Sequence, residues 1–255
     1  MYEAMASFYN RYTYDINYEK QAAFLDRCFR RYVKASPAEH PIVLDAACGT
    51  GTSALSLADL GYDMIGLDLS PEMLQVAAET AAAENKNITW ICQDMCKMDL
   101  FGTVQAVFCM TDSLNHILRK RDLESFFRRV HLFTEPGGIF VFDALTEHYF
   151  RDIISGNVFC QEFDDSCCVW SGTYAPKTGR CTYDITCFEE EGRTGLFRRY
   201  SDTVVERVWP EAVLLQSLAD SGLELLSVFR NTGFASCTAQ DERRYYVCRR
   251  TFNKK

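Results

Sequence analysis

The run Val43-Leu44-Asp45-Ala46-Ala47-Cys48-Gly49-Thr50-Gly51 carries an apolar strand straight into a glycine-containing turn, and helical spacing begins at Thr52. Glycine lets a ligand approach the backbone because no Cβ stands in the way. The helix that follows offers free N–H groups and the positive end of a dipole. A nucleotide-type ligand is therefore expected here. Gly49-Thr50-Gly51-Thr52-Ser53-Ala54 also fits the G-x-G-x-x-G/A dinucleotide fingerprint, with Asp68 about 20 residues on, where a ribose-binding acid belongs. Taken alone, the turn leaves an NAD-dependent oxidoreductase open. Three features argue against it: Asp45 stands just before the turn, Asp94 ends the third strand-like run, and the last two strands read as a hairpin rather than a second mononucleotide half.

Outward from the turn, short β-like runs alternate with longer helical ones, the pattern of a mostly parallel sheet covered on both faces. Strands are expected at Ile42–Ala46, Met64–Leu69, Thr89–Gln93, Ala106–Met110 and Ile139–Asp143, and helices at Thr52–Asp59, Pro71–Glu84 and Asp122–Phe133. Ser70 suits the cap of the second helix and Pro71 its first position. Pro136-Gly137-Gly138 reads as a turn that stops the third helix and feeds strand five. From Asn157 to Trp209 the chain becomes β-rich, with breaks at Ala175–Gly179 and Glu190–Gly195, which predicts a small antiparallel insertion. A helix at Glu211–Asp220 and strands at Leu223–Phe229 and Arg244–Arg249 follow.

The expected fold is thus α/β: a three-layer, Rossmann-like, seven-stranded, mostly parallel sheet with a C-terminal antiparallel hairpin and an inserted antiparallel β subdomain. The expected division is a helical cap over 1–34, a ligand-binding core over 35–150, the β insertion over 151–209 as a substrate lid, and a helix and hairpin over 210–255 that complete the core.

Composition narrows the partners. The formal net charge of −8 comes with basic residues scattered in pairs such as Arg30-Arg31 and Arg128-Arg129 rather than gathered in a stripe, which argues against nucleic acid. No apolar stretch is long enough to span a bilayer. Met1-Tyr2-Glu3-Ala4 lacks the basic and apolar regions of a signal peptide, so the twelve cysteines read as reduced thiols in a cytoplasmic protein, most of them small core residues. No C-x-x-C pair or accompanying histidine sits at ligand spacing, so no metal site is expected.

The stretch from Asp45 to Gly51 resembles the first motif of class I S-adenosylmethionine-dependent methyltransferases, D/E-x-G-x-G-x-G, with Ala47 where the first glycine would be. Asp68 resembles the acid that binds the ribose hydroxyls in that family, and Leu69-Ser70-Pro71-Glu72-Met73-Leu74 the stretch after it. Gln93-Asp94-Met95 resembles the adenine-contacting segment. Cys109-Met110-Thr111-Asp112-Ser113-Leu114-Asn115-His116 resembles the region bordering the methionine end and the acceptor. The likeness covers residues 40–145. The tyrosine-rich N-terminal segment and the β insertion also resemble one branch of small bacterial methyltransferases.

The resemblance implies a cofactor set of Asp45, Ala47, Gly49, Gly51, Asp68, Leu69, Met73, Asp94, Met95 and Met110, with Tyr9 and Tyr14 closing over the sulfonium, whose charge favours aromatic faces. It implies S-adenosylmethionine as cofactor, S-adenosylhomocysteine as product, and methyl transfer to a small-molecule N, O or C acceptor by in-line displacement. Asp112 and His116 are the candidates to orient the acceptor or take its proton, since open α/β sheets bind ligands at the carboxyl ends of their strands. The competing readings are a non-catalytic S-adenosylmethionine-binding regulator and the NAD-dependent oxidoreductase. Oligomeric state and the identity of the acceptor have no signature in the sequence.

Overall fold

The computed structural model describes residues 16–34 and 39–252. Tyr9 and Tyr14 lie outside the described residues, as do the first half of the expected helical cap and the three C-terminal residues.

A seven-stranded sheet forms the middle layer, in the order β10-β11-β5-β4-β1-β2-β3. Its strands are β1 (Ile42–Ala46), β2 (Asp63–Asp68), β3 (Thr89–Cys92), β4 (Val104–Cys109), β5 (Thr134–Leu145), β10 (Leu223–Phe229) and β11 (Arg243–Arg250). β1 through β5 pair in parallel, while β11 runs antiparallel to both β5 and β10. The hairpin therefore adds to one edge with its second strand inside and its first strand outside.

Alternate residues of each strand face opposite layers. Val43, Phe108, Val141 and Val247 pack with α1 (Tyr18–Tyr32) and α2 (Thr52–Ala58). Leu44, Val107, Phe140 and Phe142 pack with α4 (Lys120–Phe133) and α5 (Glu211–Asp220). Between them in sequence, α3 (Pro71–Ala83) starts as its residues dictate: Ser70 Oγ accepts the Met73 N–H at 3.2 Å and Pro71 occupies the first turn.

One expected break is not a break. Pro136-Gly137-Gly138 lies inside β5, where Thr134 pairs with Val104 and Ile139 with Ala106, so the intervening residues bulge out of the ladder. The glycines serve close approach. A Cβ on Gly138 would stand 2.6 Å from the Gln105 carbonyl oxygen, and the Gly137 carbonyl accepts the Lys34 N–H at 2.8 Å.

The insertion is a separate four-stranded antiparallel sheet of β6 (Val158–Phe163), β7 (Ser166–Ala175), β8 (Arg180–Glu190) and β9 (Phe197–Arg207). The sequence breaks at 175–179 and 190–195 are its two longer turns, and a third tight turn joins β6 to β7. A π-helical turn at Tyr149–Ile154 leads into it, and Phe150 and Ile154 pack beneath Tyr174, Tyr183 and Val204.

Two backbone seams tie this sheet to the core. Asn115, fully buried, accepts the Leu145 N–H at 2.9 Å and donates to the Arg207 carbonyl at 3.0 Å. Trp209 Nε1 donates to the Ile117 carbonyl at 3.0 Å. All twelve cysteines are free thiols; Cys28, Cys109, Cys168, Cys181, Cys187 and Cys248 are buried, whereas Cys92 and Cys160 are exposed and are not core residues. Among the described residues no helix is long and apolar enough to cross a membrane.

Candidate active site

A cavity of about 690 Å³ opens at the carboxyl ends of β1, β2, β3 and β4, a volume within the usual range for small-molecule sites. Asp45, Ala47, Asp68, Leu69, Met73, Asp94, Met95, Met110 and His116 all line it. Gly49 and Gly51 do not; their neighbours Cys48 and Thr50 do.

The two glycines shape the turn instead. Both have positive φ, and a Cβ on Gly51 would meet the Trp90 ring at 2.5 Å. Ala47, in the place of the motif's first glycine, is also left-handed, with φ of 75°. That conformation costs a non-glycine residue about 1–2 kcal/mol. It is held by the Leu67 carbonyl, which accepts the N–H groups of both Ala47 and Cys48.

Asp68 ties this turn to the next strand. One carboxylate oxygen accepts the Gly49 N–H at 2.8 Å and the other the Ser70 N–H at 2.9 Å. Each oxygen retains acceptor capacity toward the cavity, since an ionised carboxylate has about four lone-pair sites. Asp94 accepts the Cys96 N–H at 2.9 Å and caps the short turn at Met95–Lys97. Asp45 is buried behind the turn. Burial, reinforced by the neighbouring Asp68 charge, pushes its carboxyl well above the ordinary aspartate value, so it tends to keep its proton.

Thr111 and His116 line the cavity, and the polar group behind them is assembled from distant pieces of chain; Asp112, Asp143, Glu206 and Arg243 are not in the cavity lining. Thr111 and Asp112 are consecutive left-handed residues, φ 59° and 54°, and neither is glycine. Such strain persists only where its surroundings fix it. Here the two N–H groups converge on the buried carboxylate of Asp143, at 3.0 and 2.8 Å. Arg243 of β11 closes the arrangement, reaching Asp143 at 2.7 Å with one amino group and Asp112 at 2.9 Å with the other. Asp112 makes no side-chain cap to the turn Ser113–His116 that follows it; its carboxylate is turned to Arg243.

His116 Nε2 lies 3.7 Å from Oε1 of Glu206 in β9. Burial lowers the His116 pKa and outweighs the pull of Asp112 and Asp68 in the other direction, so its imidazole is neutral near pH 7. Glu206 is 4% exposed. Burial and then Asp112 push its carboxyl well above the ordinary value, against the opposing influence of Arg243 and the Tyr183 hydroxyl. Asp112, His116 and Glu206 are also a group of the kind that holds a cation, with one ligand atom from each within 4.8 Å of the others.

Sequence reasoning named Asp112 and His116 but missed Asp143, Tyr183, Glu206 and Arg243. A faint signal existed for Glu206: along β9 it is in phase with buried Val204, so an acid occupies an inward-facing position of an alternating strand. Asn115, which lies between Asp112 and His116 in the chain, is committed to the core–insertion seam.

Residues 43–138 match the methyltransferase domain family. The putative methyltransferase YqeM of Bacillus subtilis is 26% identical over 98% of both chains. Residues 43–138 are thus a methyltransferase domain, and the chain as a whole resembles class I S-adenosylmethionine-dependent methyltransferases. The fold of the methyltransferase is shared by an S-adenosylmethionine-dependent methyltransferase from Clostridium acetobutylicum, with a TM-score of 0.87 at 22% identity over 98% of this chain and 99% of that one. It is shared also by CalS10, an amino pentose methyltransferase from Micromonospora echinaspora, with a TM-score of 0.72 at 19% identity over 92% of each.

The residues present fit the cofactor. Acids from the ends of β2 and β3 offer acceptors for hydroxyl and amino groups, and Met73, Met95 and Met110 supply apolar wall to the same cavity. When bound, S-adenosylmethionine supplies a methyl group on a positively charged sulfur.

Proposed function

We propose that the methyltransferase acts on a small-molecule acceptor, at nitrogen, oxygen or carbon, by in-line displacement. The observation that carries this reading is the burial of the polar group packed behind His116, which itself lines the cavity. Asp143 of β5 is 1% and Glu206 of β9, in the insertion sheet, 4% exposed. A site roofed in this way suits a ligand that enters whole, and suits less well a loop of protein or a nucleic acid strand that must pass through. CalS10, whose fold is similar, is an amino pentose methyltransferase, which supports the same size class.

In this reading Asp68 and Asp94 hold the cofactor's hydroxyl and amino groups. Residues 151–209 cover the acceptor, while Asp112 and His116 contact it. Alignment of the nucleophile and exclusion of water lower the barrier. Neutral His116 is in the right protonation state to accept a proton from an acceptor that arrives with one.

The test is transfer of label from methyl-labelled S-adenosylmethionine in a cell extract separated into small molecules, protein and RNA. Label in the small-molecule fraction is expected. Label confined to protein or RNA would overturn the small-molecule assignment.

A further inference from the structure

Glu206 is the group that cofactor binding leaves unexplained. Its Oε2 is buried and has no hydrogen-bond partner among the described residues. An acceptor so placed is destabilising until a donor reaches it. The surroundings are unbalanced in the same sense. Among the described residues the carboxyl groups of Asp112, Asp143 and Glu206 face one guanidinium, Arg243, which is already shared between the two aspartates, and an added cation would draw Glu206 into its charged form.

Asp112, His116 and Glu206 each present one acceptor atom, all within 4.8 Å of one another. An alkylammonium has three N–H donors. With bonds of about 2.9 Å along tetrahedral directions, its three acceptors stand about 4.7 Å apart at most. A first-row metal would draw the same atoms to about 3–3.5 Å from one another, and would do so beside a guanidinium that already holds Asp112.

We infer that Asp112, His116 and Glu206 form the subsite for the acceptor's nucleophile, and that this nucleophile is an amine arriving as its ammonium. The inference rests on the methyl-transfer reading above and narrows it from three acceptor elements to nitrogen. The proton balance is simple. The ammonium gives one proton to His116 Nε2 and regains a lone pair. That nitrogen then forms its bond to the methyl carbon as the carbon–sulfur bond breaks, the electron pair staying on sulfur. The methylated product carries the positive charge, and His116 returns its proton to solvent. Glu206 and Asp112 hold the cation before and after the step.

The experiment follows the His116 imidazole by nitrogen-15 resonance in protein saturated with S-adenosylhomocysteine, titrated with methylammonium, methanol, tetramethylammonium or manganese chloride. Methylammonium should shift His116 saturably, at least tenfold more weakly in Glu206→Gln and in Asp112→Asn. Tetramethylammonium, which has no N–H, and methanol should leave it in place. An equal response to methanol, an unchanged affinity in both variants, or displacement of methylammonium by manganese at the same residues would overturn the assignment.

A second arm offers labelled cofactor to matched amine and alcohol pairs with the same carbon skeleton. Methylated amine supports the subsite and methylated alcohol overturns it. Methylammonium binding without label transfer to either member of any pair would count against the transfer reading alone and would support a cation site.

Discussion

Asp45, Asp68 and Asp94 reach the cavity from the ends of three strands formed by one short stretch of chain, and the carboxylates of Asp68 and Asp94 are held by backbone N–H groups of that same stretch. Asp112, His116, Glu206 and Arg243 come together from two sheets behind the cavity wall to which His116 contributes, with Arg243 lying 131 residues beyond Asp112. The first arrangement is local and is built into the strand-to-turn transitions. The second exists only when the insertion sheet and the C-terminal hairpin have both docked. One half of the site should therefore tolerate damage that the other does not.

The sharpest way to break this contrast is Asn115→Ala. It strands one buried N–H and the Arg207 carbonyl along the seam, so stability should fall by about 3 kcal/mol or more in urea unfolding. Affinity of the folded protein for S-adenosylhomocysteine should change little. A parallel loss of cofactor affinity would mean that the halves are not separable.

Asp68→Ala is the converse. Cofactor affinity should fall by about 2–3 kcal/mol in calorimetric titration, through lost charge-assisted bonds to the ligand and a loosened Gly49 turn. Binding of methylammonium at the other end should survive.

The acids also differ in how they answer pH. Asp45 holds its proton more tightly in the fold than in the unfolded chain, so its contribution is complete below the ordinary aspartate pKa and is lost as pH rises toward its raised folded value. Asp45→Asn removes that loss. Its melting temperature relative to the parent protein should climb between about pH 5 and pH 8, and a flat difference would place the carboxyl in its charged form. His116 runs the other way. Its depressed pKa keeps it neutral in the fold, and methyl transfer to an amine should fade as acid forces the proton on, below the ordinary histidine value.

The smallest effect belongs to Ala47→Gly. Relief of the left-handed alanine should outweigh the added freedom of the unfolded chain and raise stability by about 0.5–1 kcal/mol in denaturant melts. Destabilisation would mean that the alanine methyl packs more than it strains.

The same contrast decides what was legible in the sequence. β1, α5 and β10 fall within the limits that periodicity drew, because hydrophobic alternation and caps are local properties. The acids at the strand ends could be found for the same reason, each marking the point where an apolar run stops. Pro136-Gly137-Gly138 misled because a bulge and a turn use the same residues, and only pairing partners from β4 distinguish them. Glu206 and Arg243 gave little warning. Their meaning depends on which distant side chains they meet, and Arg243 in particular stands in a run, Arg243-Arg244, that reads as exposed charge.

Arg243 belongs to β11, and during synthesis it emerges long after the cofactor end of the sheet. Domains begin to fold as they leave the ribosome, N-terminal parts first. A growing chain can thus acquire its methyl-donor site while the strained Thr111–Asp112 corner is still without the guanidinium that steadies it, and competence toward the acceptor arrives last.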